Sequence, residues 1–450
     1  MYKILQKRRA SVKITSSYDV ELRGGKGIFT DTIKIYREAL AFLIDVFFKE
    51  WDTLSSIANA KARFNTAENM IHSTKTNTAE YDFDSKFYKM PSYFRRAVTQ
   101  YALGCVSSFV SNHANWEAGG RKGQKPKLQA KRFSFPTFYY DNMYKADDAG
   151  NIAYLKLFVN NDWVFVPFKM RKTDVDYLRK YWSHCKPSAP TLEKRFGRYY
   201  LRFAYTENVK LSKTPIKRQR ICAVDLGLNS DAVCNIMTSD GTVLARKFIN
   251  FPSEKDHLNH VLNRVRRYQR EHGSQNVQSF WKYAQRLNDE LAKKIASAIT
   301  EFAVVNFADC IVFEHLDFRG KKAKGNKKQK LQMWRKNGIQ ELVEHKAHRC
   351  GIRISHVCAW GTSKLAFDGS GEVVRDNDNR ALCTLASGKR YNCDLSASYN
   401  IGARYFIRAL LNPLPEKERS ELLAKVPDAQ RRTSNTLSTL RSLTAALRAA

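Results

Sequence analysis

Three carboxylates stand where chemistry is possible. Asp225 closes the apolar run Ile221-Cys-Ala-Val224 and is followed by Leu226-Gly227. Glu314 ends a second run, Ile311-Val-Phe313, in the same way, and Asp394 opens a stretch with helical spacing. Any one alone is the ordinary acid of a strand end or a helix start, where exposed N–H groups favour negative charge. Two buried strands that both deliver an acid at their carboxyl ends are less ordinary, because that edge is where open α/β sheets place ligands. Converging carboxylates repel, and burial raises their pKa values unless cations lie between them. Two divalent ions about 3.5–4 Å apart relieve this, and they activate water and stabilise the leaving oxygen in phosphodiester cleavage. Mg²⁺ suits an all-oxygen site of this kind.

The rest of the chain has the charge to hold such a substrate. Over 450 residues, 77 Lys and Arg face 43 Asp and Glu, a formal net charge of +34. With 43% apolar and 12% aromatic residues, this is not a disordered basic tail but a chain of several packed domains. Cation on folded surfaces points to a polyanion, nucleic acid before membrane. Arg121–Arg132 has six cations in twelve residues, Lys122, Lys125, Lys127 and Lys131 among them, and reads as an exposed loop. Arg319–Lys330 has seven, Arg319, Lys321, Lys322, Lys324, Lys327, Lys328 and Lys330, directly after the Glu314 strand. Arg264, Arg266, Arg267 and Arg270 fall on a helical stretch able to follow a duplex. All are candidate phosphate contacts. No run of 18 apolar residues occurs, and Met1–Arg9 has no apolar segment behind it, so neither a membrane span nor a secretory leader is expected. The nine scattered cysteines suit reduced, packed thiols in the cytoplasm, and no CxxC occurs.

The elements that must position these residues follow from periodicity. Val12–Thr15 and Val20–Leu22 read as strands around a Ser16-Ser17 turn. Ile33, Tyr36, Leu40, Leu43, Phe47 and Trp51 mark a helix, and Phe94, Ala97, Tyr101, Cys105 and Phe109 mark the core face of another over Ser92–Trp116. Phe133–Tyr140, Ala153–Phe158, Trp163–Pro167 and Tyr199–Thr206 read as strands of a small antiparallel barrel or sheet that continues the N-terminal strands around an inserted helical lobe. From about residue 216 the pattern is α/β: strands over 220–225, 232–237, 242–248, 309–314 and 352–357, a long helical region over about 253–306, and helices over 339–350 and 394–411. The tail from 413 opens with two prolines and reads as a peripheral, Leu-spaced helix.

ICAVDLGLNSDAV (221–233), IVFEHL (311–316) and NCDLSASYNIGARY (392–405) resemble the three motifs of a RuvC-type nuclease domain, in particular those of TnpB transposon nucleases and compact type V CRISPR effectors. Trp334–Ile339, Lys346-Ala347, Gly351-Ile352 and Thr362-Ser363 match that family's connecting pattern. The resemblance covers roughly 220–407, and before residue 216 the chain is similar only in size and layout. It implies a multidomain α/β fold plus β-barrel and helical lobe. In that layout 1–30 and 133–215 form a wedge-like β-barrel, 31–132 an inserted helical recognition lobe, and 216–357 with 394–412 an RNase H-like RuvC nuclease domain. Residues 358–393 then correspond to the family's zinc ribbon and 413–450 to a C-terminal helical tail.

By the same resemblance Asp225, Glu314 and Asp394 are the Mg²⁺ ligands of an RNA-guided DNA endonuclease. The implied partners are a structured guide RNA and a target double-stranded DNA carrying a short adjacent motif. The family's ribbon uses two CxxC pairs. Here the first pair has no cysteine and the second keeps only Cys383, while His356, Cys358 and Cys393 lack knuckle spacing, so zinc is not expected. The competing readings are a guide-directed binder that no longer cuts and an RNase H-like transposase. The intact triad favours cutting, and the acid order differs from the Asp, Asp, Glu of that transposase group. The resemblance places the protein in a prokaryotic cytoplasm at the nucleoid, and it leaves open monomer or homodimer and transposon or CRISPR origin.

Overall fold

The computed structural model describes residues 11–25, 27–121, 123–129, 134–147, 149–227, 230–273, 277–315, 335–379 and 381–449. The chain is mixed α/β and divides into two compact units: Thr15–Glu207, and the described residues outside that span.

In the first unit the order is β1 (Ser11–Arg23), α1 (Thr30–Lys49), α2 (Trp51–Ser56), α3 (Ala60–Ile71), α4 (Phe83–Lys86), α5 (Ser92–Ala118), β2 (Tyr144–Ala146), β3 (Ile152–Val159), β4 (Asp162–Met170), α6 (Lys172–Trp182), β5 (Thr191–Arg195) and β6 (Arg198–Lys210). The strands form one sheet in the order β2-β3-β4-β1-β6-β5. Thr137 bridges to Thr191 at the start of β5 and Tyr140 to Tyr144 at the start of β2, so one segment touches both edge strands. The β3–β4 hairpin turns on Asn160 and Asn161, both at positive φ (50° and 61°), as a type I′ turn requires. Tyr36, Leu40, Leu43 and Phe47 of α1 are buried with Phe94, Val98 and Val106 of α5 in this unit's core.

Three expectations fail here. Ser16-Ser17 is no turn: β1 runs straight through it, because a two-residue turn needs positive φ and neither serine favours it. On α5 Phe94 and Ala97 are buried as expected, but the stripe continues through Val98, Ala102 and Val106 while Tyr101 is 41% exposed, so the core face is rotated from the one expected. Between 134 and 140 there are only isolated bridges rather than a strand, since β2 begins at Tyr144.

The second unit is built on a five-stranded sheet of β7 (Arg220–Asp225), β8 (Ala232–Thr238), β9 (Val243–Ile249), β10 (Cys310–His315) and β11 (Arg353–Cys358), in the order β11-β10-β7-β8-β9. β7–β8 and β8–β9 are antiparallel, whereas β10 is parallel to both β7 and β11. Between β9 and β10 the helical region breaks into α7 (Pro252–His272) and α8 (Gln278–Val305) at Gly273, whose φ of 70° ends the first helix. α9 (Lys336–Arg349) precedes β11, and α8 and α9 cover one face of the sheet through Ile295, Ile299, Ile339 and Val343.

The other face is covered by α10 (Cys393–Leu411), which follows a small antiparallel sheet of β12 (Val374–Arg375), β13 (Leu382–Thr384) and β14 (Arg390–Asn392). α10 is buried along nearly its whole length. Gly402 permits its close approach, since a Cβ there would lie 3.0 Å from Met237 Sδ and 3.3 Å from Ala223 Cβ. The tail is not peripheral. After α11 (Glu416–Lys425), α12 (Leu437–Ala449) buries Leu437, Leu440 and Leu443 in the same core as α10. Its leucines cover apolar surface that α10 alone would leave wet.

Candidate active site

Side chains alternate across a strand, and this alternation gathers the acids. Ile221 and Ala223 of β7, with Cys310 and Val312 of β10, point into the core under α10, whereas Cys222, Val224, Ile311 and Phe313 point to the opposite face. Two residues on from Ala223 and Val312, Asp225 and Glu314 fall on the α10 side as well. Val224 pairs with Phe313 across the parallel β7–β10 ladder, so both acids follow one step later, at the carboxyl edge. Asp394 enters from the first turn of α10, whose N-cap is Asn392: its side chain accepts from the Leu395 N–H and frees Asp394 to face the sheet edge. A Cβ on Gly227 would lie 3.9 Å from Asp394 Oδ2 and 2.7 Å from the Ser230 carbonyl, which places the carboxylate against the β7–β8 turn.

The electrostatics show the convergence. Asp225 has its pKa pushed well up, first by desolvation and then by the charges of Glu314 and Asp394, with Arg375 opposing. Burial also raises Glu314, against the hydrogen bond from Thr362 and the charge of Arg404. Asp394 is raised by burial, against Arg375 and a hydrogen bond from Ser230. Like charges held together out of water favour a bound cation. The donors are all carboxylate oxygens, which fits a hard divalent ion such as Mg²⁺. Among the described residues only His184, Cys185 and Glu207 bring three ligand atoms within 4.8 Å of one another, so the acids are spread wider than a single-ion cage.

A buried polar framework holds the cluster. The Thr362 hydroxyl donates to Glu314 Oε1. Asn400 Nδ2 donates to the carbonyls of Thr362 (3.0 Å) and Leu365 (2.9 Å), and its Oδ1 accepts from the Leu437 N–H. Arg404 donates to four carbonyls, of Cys358, Trp360, Thr433 and Asn435, at 2.7–3.1 Å. Arg408 continues the row to the His356 carbonyl and Ser355 Oγ. Asn400, Arg404 and Arg408 recur at four-residue spacing, so one stripe of α10 ties the segment after β11 and the tail to the acids.

No local pattern in the sequence assigns these supporting residues a role. The available signal is an amide and two guanidinium groups on a helix otherwise apolar enough to be buried. Thr362 stands out in the sequence only as part of a connecting pattern, and Arg375 and Ser230 carry no local signal. Cys383 and Cys393 pack with Ala366 and Leu385 in a small apolar cluster, and among the described residues no three of His356, Cys358, Cys383 and Cys393 converge. Among the described residues the nine cysteines form no disulfide.

Of the basic candidates, Arg264, Arg267 and Arg270 lie on α7, whose buried residues are Leu258, Val261, Leu262 and Val265; Arg264 and Arg270 are exposed, and Arg266 donates to Asn263. Lys125 and Lys127 are exposed in an irregular segment. Lys122, Lys131, Arg319, Lys321, Lys322, Lys324, Lys327, Lys328 and Lys330 lie outside the described residues. No described helix is long and apolar enough to cross a membrane.

This fold has solved counterparts. The chain is similar to that of a Cas12f1–sgRNA–target DNA complex, with a TM-score of 0.51 and 14% identity over 83% of this chain and 81% of that one. CasPhi-2 (Cas12j) bound to crRNA matches with a TM-score of 0.48 and 9% identity, over 88% and 98%. Alicyclobacillus acidoterrestris C2c1 in complex with single-guide RNA matches with 0.44 and 8%, over 82% and 65%. A family model described as the Aq_aa04 family matches residues 14–159. No curated protein matches the sequence. The chain therefore shares its fold with the Cas12f1 chain.

Proposed function

We propose that the protein is an RNA-guided DNA endonuclease in which Asp225, Glu314 and Asp394 hold two Mg²⁺ ions for phosphodiester hydrolysis. The observation that carries the reading is the delivery of Asp225 and Glu314 to one edge and one face of a parallel strand pair, with Asp394 arriving from the covering helix. The fold shared with the Cas12f1 chain, solved with guide RNA and target DNA, supports the partners, as does the net charge of +34. On this reading the β9-β8-β7-β10-β11 sheet is the centre of an RNase H-like nuclease domain of 216–357 and 394–412. Residues 358–393 are its metal-free ribbon. Residues 1–30 and 133–215 are the wedge-like barrel with the 31–132 lobe inserted, and the tail helices α11 and α12 complete the nuclease core.

Bound Mg²⁺ would supply an activated water and charge compensation at the leaving oxygen. The chain supplies geometry. Two carboxylates sit on rigid strands, Thr362 fixes the Glu314 rotamer, and Ser230 fixes Asp394. Arg375 brings a guanidinium to the cluster that is suited to a phosphate oxygen. Guide pairing would select the sequence, so backbone contacts and a short adjacent motif suffice for the protein.

The test is purification with co-expressed RNA. A structured RNA should copurify, and Mg²⁺ should trigger cleavage of DNA matching its guide. Asp225→Ala, Glu314→Ala and Asp394→Ala should each abolish cutting and leave target binding nearly intact; equal loss of both would refute the site assignment.

A further inference from the structure

Trp360 lies two residues past the end of β11, at the carboxyl edge where β7 and β10 deliver their acids. Its side chain is 74% exposed, and among the described residues its indole has no ring or cation partner. Its backbone is nonetheless fixed. Arg404, itself buried, donates 2.7 Å hydrogen bonds from Nη1 to the carbonyls of Cys358 and Trp360, and two residues later Thr362 donates to Glu314. Tyr88, Phe196 and Phe307 are as exposed, but Tyr88 and Phe196 belong to the first unit, and Phe307 sits at the opposite, amino-terminal end of β10. Among the described aromatic residues only Trp360 joins large exposure, a locked backbone and a near neighbour in sequence that donates to the acid cluster.

We infer that Trp360 is a stacking platform for an unpaired nucleobase of the DNA strand delivered to Asp225, Glu314 and Asp394; this deepens the nuclease reading and rests on it. An indole face accepts any base, so such a contact grips a single strand without reading its sequence. That property suits an enzyme whose selectivity lies in base pairing. A locked backbone keeps the ring in register with the acids, so the stacked base sets which phosphodiester reaches them.

The experiment uses the RNA-bound protein and targets carrying 2-aminopurine at successive positions around the cut. In an Asp225→Ala background, the fluorophore should be quenched at one or two positions, and adding Trp360→Ala should relieve that quenching. In the otherwise intact protein, Trp360→Ala should raise KM for DNA about fivefold or more, the size of one base–aromatic stack. Trp360→Phe should restore most of the affinity, with RNA content and Tm unchanged. Wild-type KM together with unchanged quenching in Trp360→Ala would overturn the stacking role and leave the nuclease reading standing. Wild-type protein that does not cut would overturn the nuclease reading instead, and the quenching comparison then decides the stacking role by itself.

Discussion

Asp225 and Glu314 follow, by one residue each, the paired Val224 and Phe313 of two adjacent parallel strands. Neighbouring strands are about 4.8 Å apart, so the two carboxylates leave the sheet side by side on the face that α10 covers. Neither can move away without breaking the ladder. The repulsion is built into the sheet, and the remaining groups of the site can be tested by what they do about it.

Thr362 restrains Glu314 through a single hydroxyl. Thr362→Val keeps the shape and removes the donor. We expect roughly a tenfold to hundredfold loss of cleavage rate or Mg²⁺ affinity, the usual range for a group that orients a metal ligand, with guide RNA binding intact. Titrating Mg²⁺ in cleavage assays checks this, and an unchanged curve would remove Thr362 from the site.

Mg²⁺ should stabilise the fold by mass action, because only the folded chain gathers the acids. At about 100 times its Kd the gain is about 2.7 kcal/mol. Thermal melts should show the rise in wild type and lose it in Asp394→Ala. EDTA should stop cutting reversibly without releasing the RNA.

Gly402→Ala adds a methyl group against Met237 and Ala223. Overpacking of this kind costs about 1–3 kcal/mol. Combining it with Met237→Val removes the Sδ contact, so the double variant should be less destabilised than the sum of the singles. Denaturation midpoints of the four proteins decide it.

Arg404 satisfies four carbonyls from two separate segments. Arg404→Lys cannot reproduce that fork, and each orphaned buried carbonyl costs about 1–3 kcal/mol. We expect a large fall in Tm, matched by truncation before residue 433, which removes two of the acceptors. A tail that can be deleted without effect would contradict its place in the core.

Arg264, Arg267 and Arg270 lie along α7 away from its buried leucines and valines. Replacing all three with Gln should flatten the salt dependence of nucleic-acid binding. The slope of log K against log salt should change by about 0.9 for each duplex phosphate that the variant no longer neutralises. An unchanged slope would take this helix out of the nucleic-acid interface.

The three acids were legible in the sequence because each ends an apolar run or opens a helix, and the strands of the second unit followed from those same runs. The first unit was less legible. Ser16-Ser17 looks like punctuation, yet the sheet carries β1 through it. On α5, Tyr101 and Phe94 are both aromatic, and only packing decided that Phe94 is buried and Tyr101 is not.

The sequence by itself marked three carboxylates as candidates and placed two of them at strand ends. It did not determine the face. Every residue of Ile221–Val224 and Ile311–Phe313 is apolar, so nothing in either run distinguishes its two sides. That choice came from α10, which pressed Gly402 against β7 and β8 and carried Asp394 to the side where Asp225 and Glu314 emerge. The same helix placed Arg404 under residues 358–360 and the tail, contacts across tens of residues that no local pattern encodes.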